Sequence, residues 1–161
     1  MSEVEFLKSA RLIAKGNQYE DMEEGRTFEH HWGRTITDGD NAAFTTQTLS
    51  FCPLYFNEPY AKSLGHPRTV VNPLLVFNTV FGMTVEDLSE GGGPFLGVDN
   101  CRFLTPVYVG DTLTARSTVL ARRESKGQKG FGIVTWRSEG FNQQGVKVLE
   151  YERTNLVRRR G

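Results

Sequence analysis

Residues 70–85, VVNPLLVFNTVFGMTV, are the stretch of this chain that decides its fold. Pro73 suits the first turn of a helix, where a missing N–H breaks no hydrogen bond. The residues that follow are apolar almost all round the helical turn. This pattern predicts a buried central helix over about residues 73–87, which other elements must cover.

Four downstream segments are typical of the strands that would cover this helix. Residues 95–104, 112–123, 131–139 and 146–157 are rich in Val, Thr, Phe, Leu and Tyr. Turn signals separate them, and NQQG at 142–145 suits a hairpin between the last two. Helical segments followed by a run of strands indicate an α+β fold. The prediction is a single hot-dog fold, an antiparallel sheet wrapped around a long central helix.

The segment upstream of the central helix predicts one strand and one helix. A strand is expected near residues 27–32, with His30 and His31 on opposite sides. Thr37 and Asp38 offer an N-cap for a helix over the following residues. Residues 1–20 are predicted to form a helical N-terminal extension, and residues 158–161 a solvated basic tail. The whole chain, residues 1–161, is expected to be one domain.

Composition excludes several classes of protein. Lys and Arg total 19, as do Asp and Glu, so the basic surface of a nucleic-acid-binding protein is missing. No apolar run approaches the ~18 residues of a membrane span, and we expect the N-terminus not to be a signal peptide, because it has acidic residues near its start and no long apolar core. Cys52 and Cys101 have no metal-ligand spacing and indicate no disulfide framework. We therefore expect a cytoplasmic protein without metal, cofactor, nucleic-acid or membrane partner.

Three segments in order resemble the MaoC-like dehydratases and (R)-specific enoyl-CoA hydratases. They are residues 33–41 (GRTITDGDN), residues 53–61 with 65–72 (PLYFNEPYA and GHPRTVVN), and residues 102–113 (RFLTPVYVGDTL). The ending at residues 151–157 is also similar, so the resemblance covers about residues 24–158. Within the family, the chain is most similar to the mesaconyl-CoA and methylmalyl-CoA hydratase branch.

This resemblance implies a CoA or carrier-protein thioester as the ligand and a homodimer or heteromer of hot-dog subunits. In the family, the acyl tunnel lies at the subunit interface. An Asp and a His five residues apart move the protons during hydration. A backbone N–H at the start of the central helix holds the thioester oxygen.

The chain departs from the family pattern at these positions. Alignment puts Ser50 at the family's Asp and Tyr55 at its His, while Cys52 replaces a supporting Asn. The family's donor N–H belongs to a Gly after a His, but the pair here is Asn72-Pro73, and proline has no N–H. A shift of one residue would make Leu74 the donor without restoring the acid–base pair.

The candidate catalytic residues are therefore Tyr55, Asn72, Ser50 and His66, the last a loop histidine before the central helix. The candidate substrate-binding residues are Cys52, Pro73, Leu74 and Phe77. Each has a structural alternative: His66 as a loop residue bonded to backbone, Asn72 as a helix cap, Tyr55 as part of a loop core, and Phe77 as core.

Two functions remain open from the sequence. One is an acyl-thioester hydratase or dehydratase with a non-standard site. The other is a non-catalytic hot-dog subunit that binds an acyl thioester or stabilises a catalytic partner. A thioesterase is a weaker third option, because no carboxylate stands out on the central helix.

Overall fold

A computed structural model describes residues 16–161, so most of the predicted N-terminal helical extension lies outside the described residues. Five strands form one sheet in the order β1-β3-β4-β5-β2, and every neighbouring pair is antiparallel. Their bounds are Thr27–Thr35 (β1), Phe95–Phe103 (β2), Thr112–Glu124 (β3), Phe131–Phe141 (β4) and Lys147–Arg158 (β5). The predicted α+β hot-dog fold is confirmed.

Four helices complete the described part of the chain. They are Asp38–Gln47 (α1), Glu58–Ser63 (α2), the central helix Pro73–Met83 (α3) and Val85–Leu88 (α4). Single turns of 3-10 helix lie at Tyr19–Asp21 and Pro53–Tyr55. None of the helices in residues 16–161 is long and apolar enough to cross a membrane.

The central helix ends earlier than the apolar run predicts. Thr84 closes it: the buried Thr84 hydroxyl donates to the Phe81 carbonyl at 2.7 Å and accepts from Arg153 Nη1 at 2.8 Å. The Thr84 backbone N–H also donates to the carbonyls of Phe81 and Gly82, and α4 begins at the next residue, Val85.

The expectation that this helix is buried on every side is wrong for the single chain. Val76 and Val80 are buried against the sheet, whereas Leu74 is 56% exposed. One side of the helix therefore packs in the core, and another side is open. The exposed positions on that side are Leu74, Asn78 and Gly82.

Two apolar clusters form the core. The first joins the central helix to the inner face of the sheet through Ile36, Val71, Val76, Val80, Leu113, Leu149 and Tyr151, among others. The second lies beyond the helix end and surrounds the buried Trp136 and Met22.

The N-terminal elements follow the sequence prediction closely. β1 covers the predicted strand and continues to Thr35, with His30 buried and His31 exposed as the alternation requires. Thr37 caps α1, because its hydroxyl accepts from the Asp40 N–H while the Asp40 carboxylate accepts from the Thr37 N–H. The hairpin at residues 142–145 is also confirmed.

The basic C-terminal segment pairs with acidic side chains. Arg159 lies 3.2 Å from Glu20 and 2.7 Å from Glu124, and Arg160 lies 2.6 Å from Asp21. These ion pairs hold the segment against the turn at Tyr19–Asp21, where the sequence suggested a solvated tail.

Candidate functional site

Asn41 organises the loop that carries most of the predicted site residues. It is 1% exposed, on α1, and its Nδ2 donates to the carbonyl oxygens of Tyr55 at 2.7 Å and Val70 at 2.9 Å. Its Oδ1 accepts from the Asn72 backbone N–H at 2.9 Å. One buried amide thus joins the loop around Tyr55 to the entrance of the central helix.

Asn72 forms hydrogen bonds with the polar groups at the start of the central helix. Its Oδ1 accepts from the Leu74 N–H at 2.9 Å, and its Nδ2 donates to Ser50 Oγ at 3.2 Å. Its backbone oxygen accepts from the N–H groups of Leu75 and Val76. Since Pro73 has no N–H, every donor in the first turn of this helix is already engaged.

Tyr55 lies at the end of the 3-10 turn and is half-buried. Burial is the main reason that the pKa of its phenol is raised above the ordinary value, and the Cys52 thiol adds a smaller contribution. A phenol with a raised pKa stays protonated at neutral pH. Tyr55 is therefore suited to donate a proton or hydrogen bond and unsuited to act as a base.

A largely apolar cavity of about 260 Å³ lies between the loop, the central helix and the turn before β3. Among its lining residues are Leu54, His66, Pro73, Val76 and Leu104. Among residues 16–161, His66 is the one titratable side chain that lines it, and the Tyr108 hydroxyl lies 3.2 Å from His66 Nδ1. We call this space the loop cavity.

The structure brings some of the predicted site residues together and leaves others apart. Ser50 and Asn72 are in contact, and Asn41 links Asn72 to Tyr55. Ser50, Tyr55 and Asn72 do not line the loop cavity, whereas their neighbours Leu54 and Pro73 do. Cys52 is an exposed free thiol, and Leu74 is exposed.

Phe77 belongs to a second cavity, of about 380 Å³, at the other end of the central helix. Its ring packs edge-on against Tyr151, with centroids 5.0 Å apart. The second cavity is lined by Phe77, Asn78, Phe81, Val85, Ser89, Gly93, Phe95, Arg153 and Asn155. We call it the arginine cavity, after Arg153, the one charged residue that lines it in the described part of the chain.

Asn41 and Arg153 are the residues that sequence reasoning missed. Asn41 lies within a segment that resembles the family, but its three partners come from distant parts of the chain. The alternation in β5 does signal Arg153, because Tyr151, Arg153 and Asn155 share the inner face of a strand whose inward residues are otherwise apolar.

Within residues 16–161, no group of three or more His, Cys, Asp or Glu side chains is placed to hold a metal ion. The polar groups described above are amides, hydroxyls, one imidazole and one guanidinium. Their chemistry is that of hydrogen bonding and proton transfer.

Comparison with known proteins places this geometry in a family. The mesaconyl-CoA hydratase family profile matches residues 3–161. A β-methylmalyl-CoA dehydratase from Chloroflexus aurantiacus is 43% identical over 145 residues, which cover 90% of this chain and 41% of that protein. A solved structure described as a putative MaoC domain protein dehydratase, from the same organism, superposes with a TM-score of 0.86 at 42% identity, covering 91% of this chain and 41% of that one.

A third protein shares the fold alone. A Mycobacterium tuberculosis protein described as having a double hotdog fold superposes with a TM-score of 0.80 at 22% identity, covering 90% of this chain and 45% of that one. The chain also spans less than half the length, 41–44%, of the four curated relatives of the mesaconyl-CoA hydratase and β-methylmalyl-CoA dehydratase type. The match over nearly its whole length shows that this chain belongs to the MaoC-like mesaconyl-CoA hydratase family.

Proposed function

We propose that this chain is one hot-dog unit of an acyl-CoA hydratase or dehydratase, and that it binds the thioester while a second hot-dog unit supplies the acid–base pair. The observation that carries the proposal is that the backbone N–H groups at the start of the central helix already have hydrogen-bond partners. There, Asn72 holds both Ser50 and the Leu74 N–H.

Hydration of an enoyl thioester sets the chemical requirements. Water must lose a proton as it attacks the β-carbon, the α-carbon must gain one, and a donor must hold the enolate oxygen. Ser50 carries no charge, and Tyr55 has a raised pKa, so neither is the base. The helix start has no N–H left to act as the donor. The loop of this chain therefore supports binding better than it supports proton transfer.

The length of the relatives and the edge of the sheet both favour a second unit. Each of the four longer relatives has more than half its length beyond the matched region, which is room for another domain of this size. β2 is an edge strand, and large apolar side chains are exposed along and after it: Phe95, Leu96, Phe103 and Leu104. Such an edge favours pairing with another sheet.

The geometry of this pairing has a consequence for the site. If the two units pair antiparallel through β2, a two-fold axis relates their central helices, which then run in opposite directions on one face of the joint sheet. The helix start of the second unit would then lie beside the C-terminal end of this chain's central helix. The arginine cavity is at that end.

A second candidate function rests on His66. Because His66 lines the loop cavity and has the Tyr108 hydroxyl beside its Nδ1, this imidazole is placed to act as a base on a ligand bound there. In that case the chain would be an enzyme without a second unit. His66→Ala would then abolish turnover by the chain alone.

Thioester binding is tested with a matched pair of leucine variants. Leu104 lines the loop cavity and is 48% exposed, whereas Leu64 is 55% exposed and lies outside it. The second candidate function, with the acyl group in the loop cavity, predicts that Leu104→Gln reduces the thermal shift that butyryl-CoA produces and that Leu64→Gln leaves it unchanged. Equal shifts in both variants, or none in the parent chain, would contradict binding in the loop cavity.

The free thiols suit the cytoplasmic setting that we propose for this enzyme. Cys52 and Cys101 are both exposed and unpaired with each other. An oxidising compartment would favour their modification.

A further inference from the structure

The arginine cavity combines aromatic walls with a buried cation. Phe77, Phe81 and Phe95 line it, and the Phe81 and Phe95 rings meet edge-on with centroids 5.4 Å apart. Arg153 forms part of its lining and is only 2% exposed. Its guanidinium carbon lies 4.1 Å from the centroid of the Phe81 ring. Such a cavity suits a small ligand with both an apolar part and a charge.

Arg153 is held in place by neutral oxygens. Nε donates to Asn155 Oδ1 at 2.8 Å, Nη1 to Thr84 Oγ1 at 2.8 Å, and Nη2 to Ser89 Oγ at 2.7 Å. A guanidinium has five N–H donors, so two of them have no partner within residues 16–161. The three bonds fix the orientation of the group and leave donors for a ligand.

The charge of Arg153 is not compensated within the described part of the chain. No Asp or Glu of residues 16–161 forms an ion pair with it, although buried charges in proteins are normally paired. Burial lowers the pKa of Arg153 to about 10, so the guanidinium is still a cation at neutral pH. A ligand carboxylate would supply the missing counter-charge through short charge-assisted hydrogen bonds.

We propose that the arginine cavity binds the free carboxylate of a dicarboxylic acyl thioester, with Arg153 as the anion-binding residue and the phenylalanine rings around the carbon chain. This inference rests on the proposed function. Mesaconyl and methylmalyl groups are dicarboxylic, so their CoA monothioesters keep one free carboxylate. Arg153, which lies on β5 and outside the loop around Tyr55, is thus a specificity-determining residue.

The position of the cavity fits this role. Pairing through β2 would bring the second unit's helix start beside the end of the central helix where Arg153 lies. A short acyl group could then present its thioester to the second unit and its carboxylate to this chain. An uncharged acyl chain would fill the aromatic walls but leave the Arg153 charge unpaired, which costs binding energy.

The test uses the full chain and two kinds of probe. The first pair is butyrate and its neutral isostere butyramide, followed by NMR through the Nε–H resonance of Arg153, assigned by its loss in Arg153→Lys. The second pair is succinyl-CoA and its primary-amide isostere, compared by calorimetry. Inorganic phosphate serves as a control for non-selective anion binding.

A variant that leaves Arg153 in place keeps the test independent of folding defects. Ser89→Asp puts a carboxylate where the Ser89 hydroxyl now accepts from Nη2, so the chain carries its own counter-ion. Arg137→Met, an exposed arginine on the outer side of β4, is the matched control for a change of surface charge. A thermal melt of each variant verifies that it is folded.

We expect butyrate, and not butyramide, to shift the Arg153 resonance, and succinyl-CoA to bind about 10- to 100-fold more tightly than its amide. Ser89→Asp should remove both preferences, and Arg137→Met neither. Equal responses to the charged and neutral probes, or an equal response to phosphate, would overturn the inference. Failure of both thioesters to bind, with butyrate still selective, would instead contradict the proposed function and leave the anion site standing.

Discussion

Replacing Asn41 by Ala tests whether one buried amide holds the candidate site together. The change removes three hydrogen bonds at once and leaves the Val70 carbonyl, the Tyr55 carbonyl and the Asn72 N–H without a partner. A buried polar group without a partner costs about 1–3 kcal/mol. Tyr55 is only half-buried, so water relieves part of the cost at its carbonyl. We therefore expect a total loss of about 3–5 kcal/mol in the free energy of unfolding.

Thr45 provides the matched control for this variant. It lies one turn further along α1, is also buried, and its hydroxyl has no hydrogen-bond partner within residues 16–161. Thr45→Val removes that hydroxyl and leaves no other polar group without a partner. We expect it to change stability by less than about 1 kcal/mol, or to stabilise the fold.

Urea unfolding of the parent chain and both variants measures the difference. Domains of this kind are stable by about 5–15 kcal/mol, so the predicted loss in Asn41→Ala is a large part of the total. A loss below about 1 kcal/mol, or one equal to that of Thr45→Val, would refute the assignment of Asn41 as the residue that fixes the loop.

Two further predictions concern stability away from the loop. His30 is buried between Asp87, at 2.6 Å from Nδ1, and Ser117, at 2.9 Å from Nε2, and burial is the main reason that its pKa is lowered. As the pH falls, the unfolded chain takes up a proton on this histidine before the folded chain does, so the free energy of unfolding should fall below about pH 6.5. In urea unfolding, His30→Gln should show a weaker dependence of this free energy on pH, and a parent chain that becomes more stable on acidification would contradict the prediction and point to a paired imidazolium. Gly93 has a φ of 139°, and a Cβ there would overlap the Leu156 carbonyl oxygen, so we expect Gly93→Ala to lower the free energy of unfolding by at least about 2 kcal/mol, and an unchanged melting temperature would contradict this.

The sequence was informative wherever a local pattern determines the structure. Pro73 marks the start of the central helix, Thr37 caps α1, and strand-like segments cover all four C-terminal strands to within a few residues. Each of these depends on neighbours in the chain. The end of the central helix did not follow from the pattern, because the apolar run continues through Thr84, where the structure ends this helix and begins α4 at Val85.

The candidate site was harder to predict than the fold. The resemblance predicted departures from the family pattern at Ser50, Cys52, Tyr55 and Asn72-Pro73. In the structure Asn72 contacts Ser50, and Asn41 links Asn72 to the backbone carbonyl of Tyr55. Nothing in the sequence indicated that the Asn72 side chain would accept a hydrogen bond from the Leu74 N–H, because that bond depends on the rotamer of Asn72. Asn41 and Arg153 act through contacts that only the folded chain creates.

The most direct test of the proposed function is turnover by the chain alone and in a two-unit context. The chain, and a chimera in which it replaces the matched segment of the Chloroflexus aurantiacus relative, are assayed by loss of enoyl absorbance with crotonyl-CoA and mesaconyl-CoA. We expect the chimera to turn over its substrate about 10⁴-fold or more faster than the lone chain. The double substitution Ser50→Ala with Tyr55→Phe should leave the turnover rate of the chimera unchanged. Turnover by the lone chain at the rate of the chimera, lost in the same double variant, would show that this loop carries the chemistry itself.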